Sequence, residues 1–125
     1  MKRFIAGFVS AFVICATAFA LQMHMQGDNV APTQVVLDNA SLTIERNILE
    51  PGQSSPVLTH TLPHVTVVVR GSTIHIVNGN GTAVDKDRPA GFVAYDVPSA
   101  TPNPHTVINA GKTTFEMLTI QLKNR

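Results

Sequence analysis

Five histidines carry most of the chemistry this sequence offers, and three of them, His60, His64 and His105, stand where strands meet turns. Neutral imidazole is a good ligand for zinc, copper, iron and nickel. Along an uninterrupted strand His60 and His64 would lie ~13 Å apart, too far to share an ion held at ~2.1 Å per ligand. Pro63 changes that expectation, because proline in such a run argues for a bend. A hairpin there would bring the two rings face to face. His105 follows the proline-rich stretch Pro98 to Pro104, at the start of another strand. Three imidazoles from separate strand ends predict a divalent-metal site (Zn, Mn, Fe, Ni or Cu) with open positions for water or a small molecule. The competing reading is that each ring is a solvated or hydrogen-bonded side chain and no metal binds.

Other chemistry-bearing residues are placed by parity. Arg70 shares the parity of His64, Thr66 and Val68, so it is expected on the face of the histidines, where it would pair with a substrate carboxylate; the alternative is that, at a strand end before Gly71, it reaches solvent. Tyr95 is a second candidate orienting group. His75 alternates with Ile74 and Ile76 and is expected to be exposed or to face a partner. Asn109 is expected to be a structural hydrogen-bonder, and Asp85-Lys86-Asp87-Arg88 a solvated mixed-charge loop. Met23-His24-Met25 suits copper(I) in kind, although a tail is the preferred reading.

The elements that must position these residues are short strands. Val35 to Leu37, Leu42 to Arg46, Val65 to Arg70 and Ser72 to Val77 are β-branched or alternate apolar with polar residues. Thr82 to Asp85, Phe92 to Asp96, Thr106 to Ile108 and Phe115 to Leu122 follow. Asn78-Gly79-Asn80-Gly81 is the strongest turn signal. About eight strands at spacings near ten residues, broken by Gly and Pro, predict an all-β antiparallel sandwich or barrel over residues 34–125.

The N-terminus has a different composition. Met1-Lys2-Arg3 is positive, Phe4 to Phe19 is uncharged, and Ala18-Phe19-Ala20 has the small-x-small form of a cleavage site, so residues 1–20 read as a signal peptide. An uncleaved anchor is the rival reading. Val13-Ile14 ahead of Cys15 lacks the small residue that lipidation needs. Cleavage would take 20 of the 125 residues and leave 105, secreted or periplasmic and without a stable membrane anchor. Of nine basic and eight acidic side chains it removes Lys2 and Arg3, leaving seven against eight and a net charge of −1. Residues 21–33 show no apolar period and are expected to be a flexible lead-in. The mature chain keeps Phe92, Tyr95 and Phe115 as its aromatics and no cysteine. It therefore lacks the basic surface and stacking platforms of a nucleic-acid binder, and it excludes thiol catalysis, zinc-cysteine sites and disulfides.

The histidine spacing resembles the cupins, whose first motif runs G-x5-H-x-H-x3,4-E-x6-G and whose second runs G-x5-P-x-G-x2-H-x3-N. Gly52, His60 and Gly71 match the first, while His105 and Asn109 match the end of the second. Leu58 stands at the first histidine and His64 at the glutamate; Ala94, Ala100 and Pro102 replace Gly, Pro and Gly. The resemblance, over Asn39 to Lys123, implies a jelly-roll barrel with metal at its wider mouth, held here by His60, His64 and His105. It also implies a homodimer through a sheet face, for which the strand carrying Val65, Val67 and Val69 is a candidate. Two functions follow as expectations. One is a metal-dependent small-molecule enzyme, with dioxygenase, isomerase and hydrolase all open. The other is a metal-free binding or structural module of the same fold.

Overall fold

The computed structural model describes residues 29–123. The expected signal peptide, Cys15 and Met23-His24-Met25 lie outside the described residues. Eight strands follow in order: β1 (Gln34–Asp38), β2 (Leu42–Leu49), β3 (His64–Arg70), β4 (Ser72–Asn78), β5 (Ala83–Arg88), β6 (Val93–Asp96), β7 (His105–Asn109) and β8 (Phe115–Leu122). They form a five-stranded sheet, β1-β2-β8-β3-β6, and a three-stranded sheet, β5-β4-β7. Every strand pair is antiparallel. This is the all-β antiparallel architecture that the alternation predicted, of the jelly-roll type that the resemblance implied.

The two sheets meet across an apolar core. Leu49, Val68, Phe115 and Met117 from the larger sheet pack against Ile74 and Val107 from the smaller, with Ala31 joining them. Burying a side chain such as Leu49 or Phe115 stabilises the fold by about 1.5–3 kcal/mol. Ala31 belongs to the C-terminal end of the expected lead-in, and this end is docked: its N–H donates to the Ser54 carbonyl at 2.9 Å.

Polar anchors hold the sheets at the end away from the histidines. Asn109 is buried, and its Nδ2 donates to the Leu49 and Thr113 carbonyls, both at 2.8 Å. Its Oδ1 accepts from Ser72 Oγ at 2.7 Å and from the Gly111 N–H at 3.0 Å. Asn109 is thus the structural hydrogen-bonder expected of it. Gly71, between β3 and β4, permits a close backbone approach. A Cβ there would stand 2.7 Å from the Ala90 nitrogen and 2.8 Å from the Arg88 carbonyl oxygen.

Two local features differ from the sequence expectation. Strand β5 continues through Asp85-Lys86-Asp87-Arg88, which is a paired strand rather than a loop; Ser72 lies opposite Arg88 and Ile74 opposite Lys86. In β3 the register against β8 shifts between Val68 and Arg70, so Val68 lies opposite Met117 and Arg70 opposite Glu116. A bulge of this kind adds one residue and turns the next side chain to the other face.

Candidate functional site

The site is built from three chain segments that converge at one end of the barrel. His64 opens β3 and shares the inner face with Thr66 and buried Val68. His105 opens β7. His60 lies in the connection before β3, which is fastened at both ends. Leu58 and His105 exchange backbone hydrogen bonds of 2.7 and 2.9 Å, and the Pro63 carbonyl accepts from the Leu122 N–H at 2.8 Å. The bend at Pro63 therefore does what its sequence position suggested. The His60 and His64 rings lie face to face, with centroids 4.1 Å apart and an interplanar angle of 25°. The His105 ring is tilted against His60 at 5.3 Å.

The hydrogen bonds around the rings define their free nitrogens. His64 Nδ1 lies 3.1 Å from the Leu62 carbonyl oxygen, and His105 Nδ1 lies 3.4 Å from that of Asn103. A carbonyl only accepts, so each contact places a proton on Nδ1 and leaves the Nε2 of the neutral ring as a lone-pair donor. His60 differs: among the described residues its buried Nδ1 has no hydrogen-bond partner. Burial, followed by the charge that His64 and His105 carry when protonated, lowers its pKa from 6.5 to about 4; Asp96 opposes this weakly. At neutral pH His60 is an uncharged imidazole.

A cavity of about 410 Å³ opens beside this cluster. Ile74, Ile76, Phe92, Val107 and Met117 supply much of its apolar wall, and Leu58 adds to it next to the histidines. Asp96 also faces the cavity, with Oδ2 3.9 Å from His64 Nε2. It was not among the expected site residues. Its signal in the sequence is parity with Ala94 across the short strand β6, and the β3–β6 register sets it opposite His64.

The expected orienting groups lie elsewhere. Arg70 is turned outward by the bulge and pairs with Glu116, its Nη2 2.9 Å and its Nε 3.0 Å from Oε1. Tyr95 alternates with Ala94 and Asp96 and is 61% exposed on the outer face. His75 is also outside, with Nδ1 2.6 Å from Asp85 Oδ1. In place of Arg70, Arg88 is the arginine that lines the cavity.

The donor set suits a divalent ion in kind: three imidazoles, two with Nδ1 turned to backbone carbonyls, and a carboxylate nearby. The arrangement is looser than a finished site. His60 and His64 present faces to each other, and among the described residues no group of three or more His, Cys, Asp or Glu side chains already stands in metal-holding geometry.

Fold and site together describe a small antiparallel double-stranded β-helix with a ligand-sized cavity at its histidine-bearing mouth. That is the cupin fold, and solved cupins share it at low sequence identity. A cupin domain from Bordetella pertussis matches with a TM-score of 0.65 at 21% identity, over 75% of this chain and 94% of that one. A double-stranded β-helix protein from Klebsiella pneumoniae matches at 0.55 and 22% identity, over 71% and 73% of the two chains. A cupin 2 conserved barrel domain protein from Salinispora arenicola matches at 0.54 and 21%, over 73% and 74%. No family model and no curated protein matches the chain.

Proposed function

We propose that the barrel mouth is a small-molecule site whose histidine wall, His60, His64 and His105, holds a divalent metal ion. The observation that carries this reading is His60, a partly buried, uncharged imidazole whose buried Nδ1 has no hydrogen-bond partner among the described residues, set between two rings whose Nδ1 atoms face carbonyls. A bound ion would supply Lewis acidity toward an oxygen atom of the ligand. The chain's own residues do the rest. Leu58, Ile76 and Phe92 keep the ligand's apolar part from water, and neutral His60 accepts a proton only weakly. The test is metal analysis of untagged protein, followed by thermal melts with Zn, Mn, Fe, Ni or Cu. An ion at 100 times its Kd stabilises the folded state by about 2.7 kcal/mol. The shift should disappear in His60→Ala and His105→Ala variants. Melting temperatures unmoved by every ion would overturn the metal assignment.

A second reading, a metal-free binding barrel, is favoured by the face-to-face His60–His64 stack and by Leu58 at the position of a motif histidine. Two further proposals concern the protein's surroundings. The first is export, after cleavage behind residue 20, tested by the N-terminal mass of the exported protein. The second is a homodimer through the outer face of the larger sheet. Its support is register: Ile44 and Val65 both lie opposite Ile120, Val67 opposite Leu118, and Tyr95 opposite Val65, so these apolar side chains share one face. Val67→Lys, placed near the middle of that face, should halve the mass measured by light scattering. An unchanged dimer would overturn this interface.

A further inference from the structure

The end of the cavity opposite the histidines carries a charge that no acidic side chain among the described residues neutralises. Cross-strand partners share a face, so Arg88, in register with Ser72 and two residues beyond Lys86, lies on the side of Ile74 and Ile76. Its Cζ stands 4.3 Å from the centre of the Phe92 ring, another cavity residue. Arg88 also borders a shallower cleft near Lys112, but the stack on Phe92 holds the guanidinium at the main cavity. The acids flanking it in sequence point the other way and are engaged there, Asp85 with His75 at 2.6 Å and Asp87 with Thr73 Oγ1 at 2.7 Å. Among the described residues no carboxylate lies within ion-pairing distance of Arg88. Its one hydrogen bond is a long contact, 3.5 Å, to the Asp87 carbonyl oxygen.

A guanidinium held over an aromatic ring keeps N–H groups free for the fork geometry that grips a carboxylate through two hydrogen bonds. We propose that Arg88, supported by Phe92, binds the carboxylate of an elongated, mainly apolar monocarboxylate whose other end reaches the histidine wall. This rests on the small-molecule site proposed above and names its ligand class. Length follows from register. His105 lies opposite Asn78 and Arg88 opposite Ser72, six residues apart on β4, or ~20 Å of strand between backbone positions from which both side chains extend inward. Charge follows from the count. Among its described lining residues the cavity presents one guanidinium at this end, and its carboxylate, Asp96, lies at the histidine end opposite His64, which matches a single carboxylate at Arg88 better than a phosphate dianion. Between the two ends Ile74, Ile76 and Met117 offer an apolar surface.

The test compares 4-phenylbutanoate with 4-phenylbutanamide, which differ in charge and hardly in shape, by calorimetric titration of the chelator-treated full-length protein. The acid should bind about ten- to a hundredfold more tightly than the amide, the range expected for hydrogen bonds to a charged group. Arg88→Met should weaken the acid far more than the amide and so remove that preference, and Arg88→Lys should restore part of it; melts without ligand check that both variants fold. Equal affinities for acid and amide in the parent, or full acid preference in Arg88→Met, would overturn the role of Arg88 and leave the small-molecule site standing. Binding of neither compound would overturn the apolar monocarboxylate pocket as a whole, and the metal melts above then decide the histidine site separately.

Discussion

The partly buried His60 ring makes the stability of the metal-free protein depend on pH in a defined window. Its folded-state pKa is lowered from 6.5 to about 4, by burial first and by the neighbouring histidines second. Between these values the unfolded chain takes up a proton that the folded chain refuses, so the unfolded state binds more protons and stability falls as pH falls. The loss begins near pH 6.5 and is complete near pH 4. A shift of this size corresponds to roughly 3 kcal/mol at 1.36 kcal/mol per pH unit. Because the ring is only partly buried, solvent screening reduces the expected effect to about 1–2 kcal/mol. Asp38 acts outside this window. Its pKa is lowered by a hydrogen bond from Lys123 and another from Thr43, so its contribution is present above 3.8 and is lost only below that value. The assay is urea unfolding of chelator-treated protein at pH 7, 6, 5 and 4.5, with His60→Leu alongside the parent. The variant should show a flatter pH dependence by about 1–2 kcal/mol over that range. Parallel curves for parent and variant would refute the assignment of the acid sensitivity to His60.

Removing the side chain of Asn109 deprives the Leu49 and Thr113 carbonyls of their donor and Ser72 of its acceptor, so Asn109→Ala should cost about 2–4 kcal/mol in urea unfolding. Gly71→Ala places a Cβ against the backbone of Arg88 to Ala90 and should destabilise by about 1–3 kcal/mol; a stability equal to the parent's would show that this crossing relaxes freely. Arg70→Ala breaks a surface pair and should cost at most about 1 kcal/mol, with metal and ligand affinities unchanged, since Arg70 lies outside the cavity. Leu58→His restores an imidazole beside His60 and should tighten metal binding measured by competition with a chromophoric chelator.

Alternation, β-branched runs and turn residues made the eight strands legible in outline, because a strand with one buried face writes its two faces into every second residue. The parts that were not legible share a cause. Asp85-Lys86-Asp87-Arg88 reads as a loop by charge content, yet its signs alternate with the period of a strand, acids toward His75 and Thr73 and bases toward the other face. An edge strand tolerates such charges because solvent is close. Arg70 was misplaced for a different reason: parity counting assumes an unbroken register, and the extra residue after Val68 reverses it. Nothing in Val68-Val69-Arg70 marks a bulge. Tyr95 failed because its strand is four residues long, too short for a burial pattern to reveal the inner face, which only pairing with β3 establishes. The three histidines were legible because Pro63 and the motif spacing fixed their turn.

The same burial that makes His60 a source of acid sensitivity also prepares it as a ligand. Protons and metal ions compete for an imidazole lone pair, so an ordinary histidine loses affinity for metal as pH falls below 6.5. With a pKa of about 4, His60 stays unprotonated well below that point. Its share of metal affinity should therefore be almost constant from pH 8 to 5, whereas a solvated histidine would lose more than tenfold by pH 5. The folded chain bears the cost of holding this ring uncharged and unpartnered, and an ion that accepts its lone pair returns that cost as binding free energy. In a metal-free function, a ligand N–H or O–H donated to the same nitrogen would recover it instead. Metal added to His60→Leu and to the parent at pH 5 separates the two cases: stabilisation of the parent alone supports the ligand role, and equal stabilisation of both places the ion elsewhere.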